Sequence, residues 1–392
     1  MQEKVTGTSE RPAAPAAGKK EGEYLVSLLR AALRNEPPMP APDGINWQGL
    51  YALAERQLVA AAAWRAVKDL PGCPSDVRAF FSASADRALR KELLFDAARG
   101  EIFAAFDENS IDHMPLKGVL IKDLYPAKGM REFADNDILY REGDRAAVDK
   151  VMRSLGYASE GLESVHDVYK KPPVFNFELH RALFEERHVF AGYFDGIWER
   201  AVKEEGENRA YRMTEEDFYA YFTAHFQKHS ESGGAGLRSF ADMYLVRRNA
   251  AFDRGKAEEI LQKIGSSDFE RTTGEIAENL FGDVPMPVSD EIFSRIFPAS
   301  VYGTMEKDLG NLFRREGRLR GALRLAFPPY AHMKTIYPVL KKAPVLLPFL
   351  WIARLFAVLF GKKRGKAVVA FKTFLQSGEK GGNRGKTDGE KR

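Results

Sequence analysis

One cysteine, Cys73, stands in a chain of 392 residues. Intramolecular disulfides and cysteine-built zinc sites are therefore excluded, and the composition fits a reducing, cytoplasmic setting. The opening residues, MQEKVTGTSERPAAPAAGKKEG, lack the apolar core that a secretory signal requires. Their Pro, Ala, Gly and charge content reads as a disordered leader. An excess of one charge is also missing. The net charge is +4, and residues 361–392 alone hold ten Lys/Arg against three Asp/Glu. The rest of the chain is slightly acidic, so the basic pI describes a tail and not a nucleic-acid cleft. No zinc-finger, RRM or helix-turn-helix signature accompanies it, and no internal repeat is visible.

A clear membrane span is lacking as well. The apolar run from Ala343 to Phe360 covers 18 residues and contains Pro344, Pro348 and Arg354. A spanning helix needs about 20 predominantly apolar residues, and a charge inside the run opposes insertion. Lys341, Lys342, Lys362, Lys363 and Arg364 flank it. A core or docking helix, an interfacial helix at the inner face of a membrane, and a spanning helix are the readings, in that order.

What is present is an ordinary globular balance, 44% hydrophobic and 29% charged. Tyr24, Leu25, Leu28, Leu29 and Ala32 recur at helical spacing. After a proline-rich break at residues 37–42, Trp47, Leu50, Leu53, Leu58 and Trp64 continue in helical style, as do residues 75–109. The pattern changes at His113. HMPLKGVLIKDLYP reads as a short strand, a Lys-Gly turn and a helix. A strand is expected around 136–141, then a helix capped by Asp144 and ended by Gly156. Segments 165–170 and 174–180 read as antiparallel strands. Helix returns over 214–263, with Thr214 as a cap, and over 288–325.

Asp135 and Asp137 are two apart, so on a strand both carboxylates share a face. Like charges this close are costly without a cation between them. Oxygen-only ligands favour Mg²⁺ or Mn²⁺. Asp-x-Asp alone is more often a solvated loop. In VFNFELHRAL, Phe175, Phe177 and Leu179 alternate with Asn176, Glu178 and His180. Glu178 becomes a third carboxylate if this strand lies beside the first; otherwise its polar face is simply solvated.

Leu116-Lys117-Gly118, Tyr125-Pro126 and Arg131-x-x-x-Asp135-x-Asp137-Ile138-Leu139 together resemble the uncharacterised nucleotidyltransferase family, a branch of the DNA polymerase β-like nucleotidyltransferase superfamily. Glu178-Leu179-His180 is similar to the family's downstream Glu-x-His strand. His225, Lys228-His229, Gly236-Leu237-Arg238 and Asp242 also resemble a family pattern. The resemblance covers roughly residues 45–250. It implies an α+β fold, a mixed sheet flanked by helices, with helical regions toward both ends. The expected organisation is a leader (1–22), an N-terminal helical region (23–110), the nucleotidyltransferase core (111–212), a helical region (213–330), an apolar and basic C-terminal helical segment (331–375) and a disordered basic tail (376–392).

The resemblance further implies transfer of a nucleoside monophosphate from an NTP to a hydroxyl acceptor in a protein, RNA, sugar or small molecule. Mg²⁺ or Mn²⁺ would be held by Asp135, Asp137 and Glu178, with Glu178 as third ligand or as base. Lys117, Gly118 and Arg131 would meet the phosphates. Lys117 is alternatively a solvated lysine, and Arg131 alternatively a partner of Asp135. The chain departs from the superfamily in two places. Lys117-Gly118 replaces the triphosphate-binding Gly-Ser or Gly-Gly, and Asn136 stands where an apolar residue is usual. A non-catalytic scaffold or sensor is the competing expectation. His225 and His229 share a helical face. Phe226 replaces the Glu of a zinc-binding His-Glu-x-x-His motif, so hydrogen bonding is the favoured role. Asp242 is expected to orient one of these histidines or Arg238. Arg314, Arg315, Arg318, Arg320 and Arg324 read as a solvated helix face before an anion-binding one.

Overall fold

The computed structural model describes residues 17–132, 136–162, 165–206, 208–232, 235–248, 252–284, 287–297 and 343–360, with short pieces between 317 and 341. Residues 1–16, Asp135, the side chains after 354, and Arg314, Arg315, Arg318 and Arg324 lie outside the described residues.

Four helices lead the chain: α1 (Lys19–Arg34), α2 (Trp47–Arg56), α3 (Ala60–Val67) and α4 (Ser75–Glu108). The helical spacing of Tyr24, Leu25, Leu28, Leu29 and Ala32 turns one face of α1 inward, and all five are buried. α1 begins inside the stretch read as leader. Glu21 closes its first turn, accepting from Gly18 N at 2.7 Å and Asn46 N at 3.0 Å. α4 runs for 34 residues. Its first half contributes Val77 and Phe81 to the helical core, and its second half places Phe95, Ala98, Ile102 and Phe106 against the sheet.

The strands are β1 (His113–Pro115), β2 (Asn136–Tyr140), β3 (Ala158–Leu162), β4 (His166–Lys171) and β5 (Phe175–His180). They form a mixed sheet in the order β1-β2-β5-β4-β3. β2 and β5 are parallel, and the other neighbours antiparallel. A short α5 (Gly118–Ile121) follows β1, and α6 (Arg145–Ser154) follows β2. Asp144 stands at the N-cap of α6 but makes no side-chain cap bond, because a 3-10 turn over Glu142–Asp144 leads straight into the helix. Gly156 adopts φ 83° just beyond it, as a C′ glycine does. β3 is absent from the sequence reading; it lacks apolar alternation, and its pairing with β4 slips between Ser159 and Gly161.

The two-residue period splits the sheet into faces. Ile138, Tyr140, Tyr169, Phe177 and Leu179 pack toward α4 and α6. Asp137, Leu139, Glu178 and His180 alternate with them and face the other way. After two short helices, α7 (Ala191–Phe194) and α8 (Ile197–Arg200), and a hairpin, β6 (Val202–Lys203) with β7 (Tyr211–Arg212), this second face meets α9 (Glu215–Ser232) and α10 (Leu237–Arg248). Thr214 Oγ1 accepts from Asp217 N at 3.1 Å and caps α9. α11 (Arg254–Lys263) and α12 (Ser267–Phe281) brace α9 and α10, and α13 (Asp290–Ile296) packs on α1 through Phe293. The molecule is α+β, a mixed sheet flanked by helices. The C-terminal apolar run forms α14 (Leu347–Phe360). Among the described residues no helix is long and apolar enough to cross a membrane.

Candidate active site

In the β2–β5 register, Asp137 lies beside Glu178 and Leu139 beside His180. On the far side of β5, His166 lies opposite His180. Asp137, Glu178, His180 and His166 therefore gather on one face. His180 Nε2 is 2.8 Å from Asp137 Oδ1, and Lys117 Nζ donates to the same oxygen at 3.1 Å. Glu178 Oε2 stands 3.7 Å from His166 Nε2 and 3.8 Å from His180 Nε2.

Lys117 reaches Asp137 from the turn between β1 and α5. The turn is stitched to β2 by Leu116 N, which donates to the Asp137 carbonyl at 3.0 Å. Lys117 itself has φ 48° and ψ −113°, an uncommon conformation for a residue with a side chain. Gly118 follows because Arg131 passes over it: a Cβ there would sit 2.5 Å from Nη1. The Arg131 guanidinium forms a buried, two-pronged pair with Asp242, Nε and Nη2 each at 2.9 Å. Tyr125 donates its hydroxyl to Asp242 Oδ1 at 2.8 Å. Asp242 thus holds both Arg131 and Tyr125. Arg238 donates to the Glu132 carbonyl at 2.7 Å.

Helix α9 closes the opposite wall with His225, Lys228 and His229. The two imidazoles face each other, Nε2 to Nε2 at 3.0 Å, which is the hydrogen-bonded arrangement favoured for the i, i+4 pair. The cavity holds about 390 Å³ and is lined by Lys117, Arg131, Lys228 and Arg238 together with Asp137 and Glu178. That size lies within the ordinary ligand-pocket range of roughly 300–1,000 Å³.

Burial dominates the protonation of this site. It would raise the Asp137 carboxyl, but the Lys117 ammonium and the His180 hydrogen bond outweigh it and hold the group well below the usual carboxylate range. Burial pushes His180 down to about 4 against the opposing bond from Asp137. Burial, with Lys117 next, takes His225 well below its ordinary value. Lys228 is lowered for the same two reasons. At neutral pH the pocket holds an ionised Asp137 with His180 and His225 uncharged, and His180 then donates its Nε2 hydrogen to that carboxylate.

Of the expected site residues, Asp137, Glu178, Lys117, Gly118 and Arg131 all line this cavity, and Asp135 lies outside the described residues. Lys117 is no solvated lysine, with a side chain only 15% exposed. Sequence reasoning missed His166. The buried alternation of Asp167 and Tyr169 places His166 on the opposite face, and pairing that strand with β5 would have put it next to His180. Asn136 also has a physical account. It faces α4, where its Oδ1 accepts from Arg99 Nη1 at 2.9 Å, and Arg99 in turn holds Asp96 at 2.6 Å.

A mixed sheet that sets acidic side chains in a cation-lined pocket between strands and covering helices is the arrangement of a nucleotidyltransferase. The chain belongs to the uncharacterised nucleotidyltransferase family, whose model matches residues 43–282 and so spans every element lining the pocket. Membership makes it an enzyme of the nucleotidyl-transferring class. Among solved structures, the antibiotic-resistance factor ANT(2'')-Ia is similar at 13% identity, over 48% of this chain and 97% of that one, with a TM-score of 0.34. No curated protein matches the chain.

Proposed function

We propose that this pocket moves a nucleoside monophosphate from an NTP to a hydroxyl acceptor, with Mg²⁺ or Mn²⁺ bound, and releases pyrophosphate. The carrying observation is the β2–β5 register, which sets Asp137 beside Glu178 in a cavity lined by four cationic side chains. Carboxylate oxygens suit these ions. In this reading Asp135, two residues before Asp137, adds a further oxygen donor. When bound, the divalent ions, two in the common form of this chemistry, stabilise the attacking and leaving oxygens of an in-line displacement.

The chain's own groups position and neutralise. Lys117 and His180 keep Asp137 ionised and fixed. Glu178, with a side chain 24% exposed, is the more accessible carboxylate. It takes the hydroxyl proton as the acceptor oxygen bonds the α-phosphorus and the bond to pyrophosphate breaks. Lys117, Arg131, Lys228 and Arg238 offset phosphate charge. The acceptor is a hydroxyl of a protein, RNA, sugar or small molecule, to be found by screening with labelled NTPs.

A second reading, a non-catalytic scaffold or sensor, is favoured by one observation: Lys117, in the Lys-Gly pair that replaces the superfamily's Gly-Ser, already neutralises Asp137. Calorimetry with each NTP and Mg²⁺ or Mn²⁺ decides between them. Metal-dependent binding that Asp135→Ala/Asp137→Ala loses supports the enzyme. Failure of the folded wild type to bind any NTP leaves the scaffold.

A cytoplasmic protein with peripheral contact at the inner face of a membrane is the location this reading takes. Its support is the C-terminal segment, where Val345, Phe349 and Ile352 are 77%, 69% and 53% exposed between lysine clusters. Liposome flotation of the chain truncated after Tyr337 tests it; unchanged binding removes the segment's role.

A further inference from the structure

We infer that His166, Glu178 and His180 form a binding site for a nitrogen-seeking divalent transition metal of the Zn²⁺ and Co²⁺ class. This ligand set differs from the all-oxygen set proposed above, and it shares only Glu178 with it. The three donor atoms lie within 4.8 Å of one another. Glu178 Oε2 is central, 3.7 Å from His166 Nε2 and 3.8 Å from His180 Nε2.

Those separations are too long for hydrogen bonds, which span about 2.7–3.2 Å. They are close to the edge of a metal polyhedron. Donors at about 2.0–2.1 Å around a tetrahedral ion stand about 3.4 Å apart. Each donor therefore needs to move only a few tenths of an ångström to close on an ion.

The frame that holds them is stiff. His166 and His180 are directly opposed on the antiparallel β4–β5 ladder, and their ring centroids are 5.0 Å apart. The reverse side of the same two strands buries Tyr169, Phe177 and Leu179. The front opens into the cavity, which leaves room for an exchangeable fourth ligand. Asp137 Oδ1, 2.8 Å from His180 Nε2, is the adjacent carboxylate oxygen. On metal entry the His180 ring gives up that bond: its single proton leaves Nε2 to solvent, Nδ1 takes one up, and the freed Nε2 lone pair binds the ion. Two imidazoles select the metal class. Mg²⁺ favours oxygen and retains water, whereas imidazole suits Zn²⁺ and its neighbours.

The test uses the full, metal-stripped chain titrated with Co²⁺ and followed by visible absorption. The expected result is one equivalent bound with ligand-field bands that Zn²⁺ abolishes. His166→Ala and the bulkier His166→Gln should weaken Co²⁺ binding tenfold or more, while His188→Ala, outside the cavity, should not. Matched thermal midpoints of the metal-free proteins certify the fold; if the alanine variant fails that check, the glutamine variant is read alone. A folded wild type without Co²⁺ bands, or position-166 variants that bind like wild type, overturns the site. Mg²⁺-dependent NTP binding on the same samples separates the two readings. Co²⁺ without NTP keeps this site and removes the nucleotidyl transfer; NTP without Co²⁺ does the reverse.

Discussion

Each face of the sheet buries a carboxylate, and the two are treated differently. On the α4 side, Asp167 accepts from the Tyr140 hydroxyl at 3.2 Å and from Arg145 at 3.1 and 3.0 Å. On the pocket side, Asp137 accepts from Lys117 and His180. Both are nearly inaccessible, at 1% and 7% exposure. Asp167 is closed in by Tyr140 and the packed core, with Arg145 reaching it from the half-exposed side, while the partners of Asp137 border open space with a second carboxylate alongside. A buried charge by itself therefore says little about function; the cavity beside it is what separates a structural ion pair from a reactive site.

Exchanging the roles is the sharpest way to break this contrast. Asp137→Ala should lower nucleotidyl transfer by about 10²-fold or more, the scale seen when a preorganised electrostatic group is removed. Its effect on urea unfolding should be the smaller part. Asp167→Ala should do the opposite, costing about 1–3 kcal/mol of stability by leaving the buried Tyr140 hydroxyl without its acceptor and leaving NTP affinity intact in the folded fraction. Equal stability losses would erase the distinction.

Acid should strike the pocket side next. His225 is held well below an ordinary 6.5, by burial first. Between its folded and ordinary values the unfolded chain binds the extra proton, so stability is full above the upper value and falls as pH drops toward the lower. His180 is pushed the same way. The urea midpoint should be lower at about pH 5 than at about pH 7, and His225→Gln should shrink the drop. An undiminished drop would assign the acid sensitivity elsewhere.

The smallest effect is expected at the edge of the pocket. Gly118→Ala must displace the Arg131 guanidinium, a movable group, so thermal stability should change by only about 1 kcal/mol. NTP affinity should fall several-fold, because the guanidinium shifts away from the phosphate position while keeping its pair with Asp242. An affinity equal to wild type would remove Arg131 from the phosphate site.

The alternation of Phe175, Phe177 and Leu179 with Asn176, Glu178 and His180 was legible because a strand's period survives in one dimension. Adjacency across strands did not follow from it. The bond between Arg131 and Asp242 joins residues 111 apart, and each would look like a surface charge until the chain folds. β3 was hidden by its slipped register, and the role of Asn136 by its distant partner Arg99. Glu21 was read as leader because composition does not report that a carboxylate caps its own helix.

α4 carries a consequence of a different kind. At 34 residues it is roughly 50 Å long, and no boundary between folding units falls along it. Phe81 belongs to one core and Phe95 to the other. Between them, Glu92 accepts from Gly129 N at 2.6 Å and pairs with Lys122, which ties the loop leading to Arg131 to the same rod. The helix works as a shared splint. If the leading helices melt, the sheet loses its floor and the pocket its alignment together, so the molecule should denature as one cooperative body.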